Sequence, residues 1–364
     1  MDERALTEKL IAYDTSTPEE IRHAAGFVKG WLEAREIESR QIGVRDLPVT
    51  IAEIGPSEGP TVVLHGHLDV VPGRPGQFEP QIDGDRLVGR GAYDMKGALA
   101  AMLLAMHDLR DNAPVRVRLG VVPDEESEEA VERGSDHLVA EGVVGDFAIT
   151  GEPTDMHIGI QAKGVLAMRL EVSGHAAHGS TPWMGDNAIL RALDVFRTIE
   201  SLPFARQSSE LFDRPSINLG RILGGDALNK VPDTCIIDVD IRYLPEQDPH
   251  AILEEVRNLP GAEVVSSFLR PPAIVDPDSV FVRALCDAAA PFHRTEVMSV
   301  GRDGASDAVS FLRAGIPAVE FGPVGGGHHG PDEWVSVASL GSYRRALVQF
   351  IEALPARLDG EADG

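Results

Sequence analysis

The sequence predicts an α/β protein interrupted by a compact α+β insertion, and three features of the chain predict it. As far as residue 150, apolar β-branched runs alternate with helical segments. From Lys163 the order changes to β-α-β-β-α-β, the split ferredoxin-like arrangement. After Pro271-Pro272 the alternation of helix and strand resumes. A discontinuous domain over 1–162 and 272–364 is therefore expected around a smaller domain at 163–271.

Taken in order, residues 2–13 and 18–36 read as helices. The second opens at Ser16-Thr17-Pro18-Glu19-Glu20, with cap, proline and first-turn acids in sequence. TVVLHGHLDVV (61–71) is β-branched and bounded by Gly and Pro on both sides, as a buried strand entering a loop should be. Residues 95–110 then read as a helix, 115–122 as a strand, 127–142 as a helix and 146–150 as a strand. A sheet built this way carries ligands at its strand ends. In the insertion, GVLAMRLEVSG, SINLGRI, TCIIDVDIRY and AEVVSSFL supply strands, with helices near 186–200 and 249–258.

Composition narrows the function classes. With 58 Asp plus Glu against 33 Lys plus Arg, the formal net charge is −25, so nucleic acid and anionic membrane are poor partners. The longest apolar stretch, Ala98 to Met106, is about half of the ~20 residues that a membrane-spanning helix needs. MDERALTEKL has no apolar signal core. A soluble, cytoplasmic protein is expected. Cys235 and Cys286 lack metal-type spacing and read as packing residues. Five lysines against 28 arginines suit either adaptation to salt or a GC-rich genome. The acidic surface reads as a solvated face, with the concentration of divalent cations as the alternative.

Chemistry-bearing residues cluster where strands end. His67 and Asp69 lie in HGHLD, where an i, i+2 pair shares a face and Asp69 can orient the imidazole toward a metal; a structural histidine is the other reading. Asp94 in GRGAYDMKG is either a ligand approached through glycines or an ordinary helix cap. Glu125 and Glu126 in PDEESEE are adjacent carboxylates whose mutual repulsion a cation would relieve, whereas Glu128 and Glu129 read as a solvated helix start. Glu152 follows a strand in TGEPT. His328 and His329 follow three glycines that could bring either ring to a buried site; the alternative is a surface loop. Together, five such loops without a cysteine site suit a borderline metal held by nitrogen and oxygen.

HGHLDVVP, GRGAYDMKG, PDEESE, GEPT and HGPDE resemble, in order and spacing over essentially the whole chain, the di-zinc amidohydrolases. That family includes acetylornithine deacetylase, succinyl-diaminopimelate desuccinylase, aminoacylase and carboxypeptidase G. The resemblance implies a mixed-sheet, zinc-peptidase-like catalytic domain with a ferredoxin-like lid and dimerisation domain. It implies that His67 and Glu152 hold one zinc, that Glu126 and His329 hold the other, and that Asp94 bridges them. Glu125 would be the general base and Asp69 the partner of His67. In the insertion, His178 of GHAAHGSTP resembles the histidine that reaches the scissile carbonyl, while His175 reads as structural. Asn229, Arg242 and Gly304 resemble substrate-contacting positions. Arg242 can alternatively pair with Asp238 or Asp240. In GRDGASD (301–307), Ala305 stands where relatives often carry threonine.

The activity so implied is hydrolysis of an N-acyl amino acid, of the acetylornithine or succinyl-diaminopimelate type used in amino-acid biosynthesis. A water activated by two zinc ions, or by cobalt, would attack, with Glu125 moving the proton and His178 stabilising the oxyanion. A dipeptidase or carboxypeptidase of the same family is the alternative, and a non-catalytic metal-binding relative a remote one. The partners implied are a small N-acyl amino acid or short peptide and a second copy of the chain, with His178 arriving from that copy.

Overall fold

The computed structural model describes residues 1–126, 133–292, 299–304 and 307–362. The expected solvated start at Glu128 and Glu129 and the substituted Ala305 lie outside the described residues.

Along the first part of the chain run α1 (Glu3–Ile11), α2 (Pro18–Glu33), β1 (Glu38–Val44), β2 (Leu47–Ile54), β3 (Thr61–His67), α3 (Gly97–Leu109), β4 (Arg116–Val122), α4 (Gly134–Ala140), β5 (Phe147–Thr150) and β6 (Ile158–Ala162). Then come β7 (Gly164–Ser173), α5 (Ala188–Ser201), β8 (Ser216–Gly224), β9 (Thr234–Tyr243), α6 (Pro249–Arg257) and β10 (Ala262–Arg270). The chain continues with α7 (Val280–Ala289), α8 (Ala308–Arg313), β11 (Ala318–Phe321) and α9 (Val337–Ala362). Two compact units result: Met1–Ile160 with Val275–Val300 and Asp307–Gly364, and Gln161–Ile274 with Gly301–Ser306.

In the first unit the strands lie in the order β1-β2-β4-β3-β5-β11-β6. β3 runs parallel to β4 and β5, and β5 parallel to β11, while the β1/β2, β2/β4 and β11/β6 pairs are antiparallel. The sheet is thus mixed, as expected. Val62, Val63 and Leu64 of β3 are wholly buried, which explains a continuous apolar run where a half-exposed strand would alternate. Helix α3 is apolar almost all round and is buried along Gly97–Met106. Because β3, β4, β5 and β11 are parallel, their C-terminal ends share one edge. The HGHLD, PDEE, GEPT and GGGHH segments all leave the sheet there.

The helix expected to begin at Met95 begins instead at Gly97, after a π-helical turn over Ala92–Lys96. Inside that turn Asp94 and Met95 leave helical backbone angles. The physical reason is a competing acceptor: the Glu333 carboxylate takes the N–H groups of Gly91, Tyr93 and Asp94. Of the helix expected over 127–142, 127–132 lie outside the described residues and the remainder contains α4.

The second unit holds the sheet β8-β9-β7-β10, antiparallel throughout. β9 alternates between buried and more open positions along its length, and its inward residues Cys235, Ile237, Val239 and Ile241 meet Ala192 and Ile199 of α5 and Ile252 and Val256 of α6. Period-two strands covered on one face by two period-3.6 helices are what the β-α-β-β-α-β reading requires. No helix among the described residues is long and apolar enough to cross a membrane.

Candidate metal and catalytic site

The strand-end edge of the first unit gathers the titratable residues. His67, fully buried at the end of β3, places Nε2 at 3.1 Å from Asp94 Oδ1 and 4.0 Å from Glu152 Oε1. Asp94 turns its other oxygen, Oδ2, to His329 Nε2 at 3.5 Å, and that nitrogen lies 2.8 Å from Glu126 Oε1. Asp94 therefore stands between the two imidazoles, one oxygen toward each. Ligand atoms of His67, Asp94 and Glu126 all lie within 4.8 Å of one another.

Each side chain is aimed by its local structure. His67 Nδ1 donates to the main-chain carbonyl of Asp69 (2.9 Å), and the Asp69 carboxylate stands further off, at 3.5 Å. That carboxylate is occupied otherwise: Oδ1 accepts from the N–H of Glu125 (3.1 Å) and Oδ2 from the N–H of Glu126 (2.8 Å). Asp69 thus fixes the PDEE loop as well as the ring, a double duty the i, i+2 spacing did not suggest. His329 adopts φ 60 and follows Gly327 at φ 71. A left-handed histidine is an uncommon conformation, of the kind that concentrates at functional sites. Gly325 allows close packing there, since a Cβ would lie 2.4 Å from the Tyr93 ring. Of the two adjacent histidines, His329 faces the carboxylates, and His328 packs edge-on against Tyr93 with ring centroids 5.8 Å apart.

The electrostatics call for positive charge. Burial pushes Glu152 well above the usual carboxylate range, and the neighbouring Asp94 adds to the effect. Burial likewise pushes Glu125 up to about 7, against the pull of Arg133. Burial disfavours a charged His67, yet its bonds to Asp69 and Asp94 raise it well above the ordinary value. Bonds to Asp94 and Glu126 carry His329 to about 10. Glu152 Oε1 is buried without a hydrogen-bond partner, an arrangement that costs about 1–3 kcal/mol. A divalent cation would satisfy that oxygen, supply the charge otherwise taken up as protons and draw the carboxylates back down. The donor set, imidazole and carboxylate without thiolate, fits such an ion.

Two residues that the sequence did not single out hold this site together. Glu333, almost wholly buried, accepts from Arg90 Nη1 (2.8 Å) and from the N–H groups of Gly91, Tyr93 and Asp94 (each 3.0 Å), so it forms the cradle of the Asp94 turn. Arg133 Nη1 reaches Glu125 Oε1 at 2.5 Å and Asp307 Oδ1 at 3.2 Å. The carboxyl of Glu333, next but one after the Gly-Pro of HGPDE, was a legible signal; Arg133 had none. The remaining candidates, His178, Asn229, Arg242 and Gly304, belong to the second unit. There the segment after His178 meets Asn229, Gly179 N–H donating to the Asn229 carbonyl at 2.7 Å. Arg242 Nε is paired with Asp240 at 2.9 Å.

A site of imidazoles and carboxylates at the parallel strand ends of a mixed sheet accords with the family to which the chain belongs, peptidase family M20/M25/M40, whose model matches residues 63–353. The protein is accordingly a hydrolytic enzyme. Among its relatives, succinyl-diaminopimelate desuccinylase of Caulobacter sp. (strain K31) is 30% identical, with 98% of this chain and 96% of the relative covered. The desuccinylase of Leptothrix cholodnii is 30% identical over 97% and 98%. Among solved structures, an M20 metallo-carboxypeptidase from Sulfolobus solfataricus superposes with a TM-score of 0.80 at 20% identity, covering 98% of this chain and 100% of that one. A dinuclear metal-binding M20 peptidase from Bacillus subtilis does so with 0.64 at 18%, covering 96% and 99%.

Proposed function

We propose that the protein hydrolyses the amide bond of an N-acyl amino acid at a dinuclear zinc centre, with N-succinyl-diaminopimelate as the leading substrate and cobalt as a working substitute for zinc. The observation that carries this reading is Asp94 standing between His67 and His329, one oxygen toward each. His67 and Glu152 would hold one ion, His329 and Glu126 the other, and Asp94 both. Two such cations, when bound, acidify a water and polarise the scissile carbonyl.

Glu125 takes the proton from the attacking water and delivers it to the leaving amine, for which a carboxyl poised by burial near neutrality is suited. Asp69 keeps Glu125 and Glu126 in register through their main-chain N–H groups. His178 donates to the developing oxyanion. Its Nδ1 accepts from the Ser180 N–H at 3.1 Å, which leaves the neutral ring's proton on Nε2. Arg242 and Asn229 receive the amino-acid part of the substrate with the Gly304 loop; Arg242 offers its Nη groups to a carboxylate while Asp240 holds Nε. The products are a carboxylate and a free amino acid.

A panel of N-succinyl-diaminopimelate, N-acetylornithine, dipeptides and tripeptides tests the substrate class on zinc-loaded protein. The expected result is the highest kcat/KM on the succinylated compound. Faster cleavage of the peptides supports instead a dipeptidase or carboxypeptidase, the activities named for several proteins of this fold.

The active enzyme is, in this reading, a homodimer formed through the second unit. Most of the large apolar side chains that are exposed among the described residues belong to it, including Trp183 at 76%, Leu190 at 60% and Leu223 at 55% exposure. β8 is an edge strand of its sheet. With His178 supplied by the partner in a closed two-fold arrangement, mixing inactive His178→Ala and Glu125→Gln chains should restore activity in the heterodimer. Verified heterodimers that stay inactive would place the histidine in the same chain as the metal ligands.

A further inference from the structure

Behind Glu125 lies a polar relay, partly buried at Arg133 and fully buried at Asp307, Ser135 and His65, that hydrolysis by the ligands alone does not require. Arg133 Nη1 holds Glu125 Oε1 at 2.5 Å and Asp307 Oδ1 at 3.2 Å, and the side chain of Asp307 is fully buried. The other oxygen of Asp307 accepts from Ser135 Oγ, which lies 2.9 Å from Nε2 of the buried His65. The guanidinium is thereby clamped from behind. The N–H of Glu125 is fixed by Asp69, so both ends of this residue are held.

We infer that Arg133 is a positioning residue for the reaction: it pins Glu125 by Oε1 and presents Oε2 to the proton being moved. This deepens the function proposed above and rests on Glu125 being the base. A free glutamate has three side-chain torsions to settle at each turnover. A carboxylate gripped on one oxygen by a fixed cation has its second oxygen in one place, and misplacement of a reacting group by about 1 Å can cost on the order of 10²-fold in rate. The opposing possibility is that the ion pair only ties the start of α4 to the PDEE loop, in which case its loss lowers stability and leaves turnover alone.

The test uses the full-length, zinc-loaded protein and the fastest-hydrolysed amide of the panel above. Arg133→Ala should lower kcat by roughly 10²-fold with KM changed less than about threefold. Bound metal per chain should be unchanged. Arg133→Lys, which keeps a cation in the same space and preserves the test if the alanine variant unfolds, should recover part of the loss. Low concentrations of guanidinium should do the same for Arg133→Ala. In a Glu125→Gln background the residual kcat should be insensitive to Arg133→Ala, because the two act as one unit.

Wild-type turnover in Arg133→Ala, a loss of metal, or an undiminished effect in the Glu125→Gln background overturns the inference and leaves the base assignment standing. Wild-type turnover in Glu125→Gln itself overturns the base assignment, and this inference with it.

Discussion

Glu125→Gln is expected to lower kcat by roughly 10²-fold or more while metal content and KM stay close to wild type. The change keeps the shape of the side chain and removes its ability to accept a proton together with the charge that faces Arg133, which retains Asp307 as its other partner. The loop is unaffected, since Asp69 holds residues 125 and 126 through their main-chain N–H groups. The adjacent Glu126 should behave oppositely: its Oε1 lies against His329, so Glu126→Gln should lose about one ion per chain. Metal analysis beside steady-state kinetics separates the two. If the Glu125 variant sheds metal and the Glu126 variant does not, their roles are exchanged.

The largest structural effect is expected at Glu333. Its carboxylate accepts four hydrogen bonds, one of them from the buried Arg90. Glu333→Ala leaves that guanidinium and three N–H groups without their acceptor. Breaking a buried pair on one side costs about 3–5 kcal/mol, which for a chain of 364 residues lowers Tm by about 4–7 °C. Because the lost bonds fix the turn carrying Asp94, metal binding should weaken as well. Asp332→Ala, at the exposed neighbour, should change stability by less than about 0.5 kcal/mol. Differential scanning calorimetry with metal titration measures both, and equal effects at the two positions would contradict this account of the cradle.

The alternation of strand and helix, and the change of texture at Lys163, made the fold class legible because each element obeys its own period: β9 alternates in burial and α3 is buried all round. The site was legible in part. His67, Asp94, Glu126, Glu152 and His329 each sit next to a strand end or a glycine, where a polar residue is conspicuous. The backbone of Asp94 was not legible, since its departure from the helix depends on Glu333, more than two hundred residues further along the chain. Nor was the geometry of Asp69, whose carboxylate takes two main-chain donors of the PDEE loop while standing 3.5 Å from the ring beside it. Arg133 gave no signal, because one arginine in a chain with 28 is distinguished only by where the fold puts it. Whether Arg242 meets a substrate or a neighbour was left open by the sequence, and Asp240 is the neighbour it meets.

The central claim, a centre of two metal ions bridged by Asp94, is tested most directly by elemental analysis of protein refolded or dialysed with zinc. About two zinc ions per chain are expected, removed together with activity by a chelator and restored together on re-addition. Asp94→Ala should retain less than one. A wild-type stoichiometry below one per chain, with hydrolysis undiminished in chelator, would contradict the account at its root.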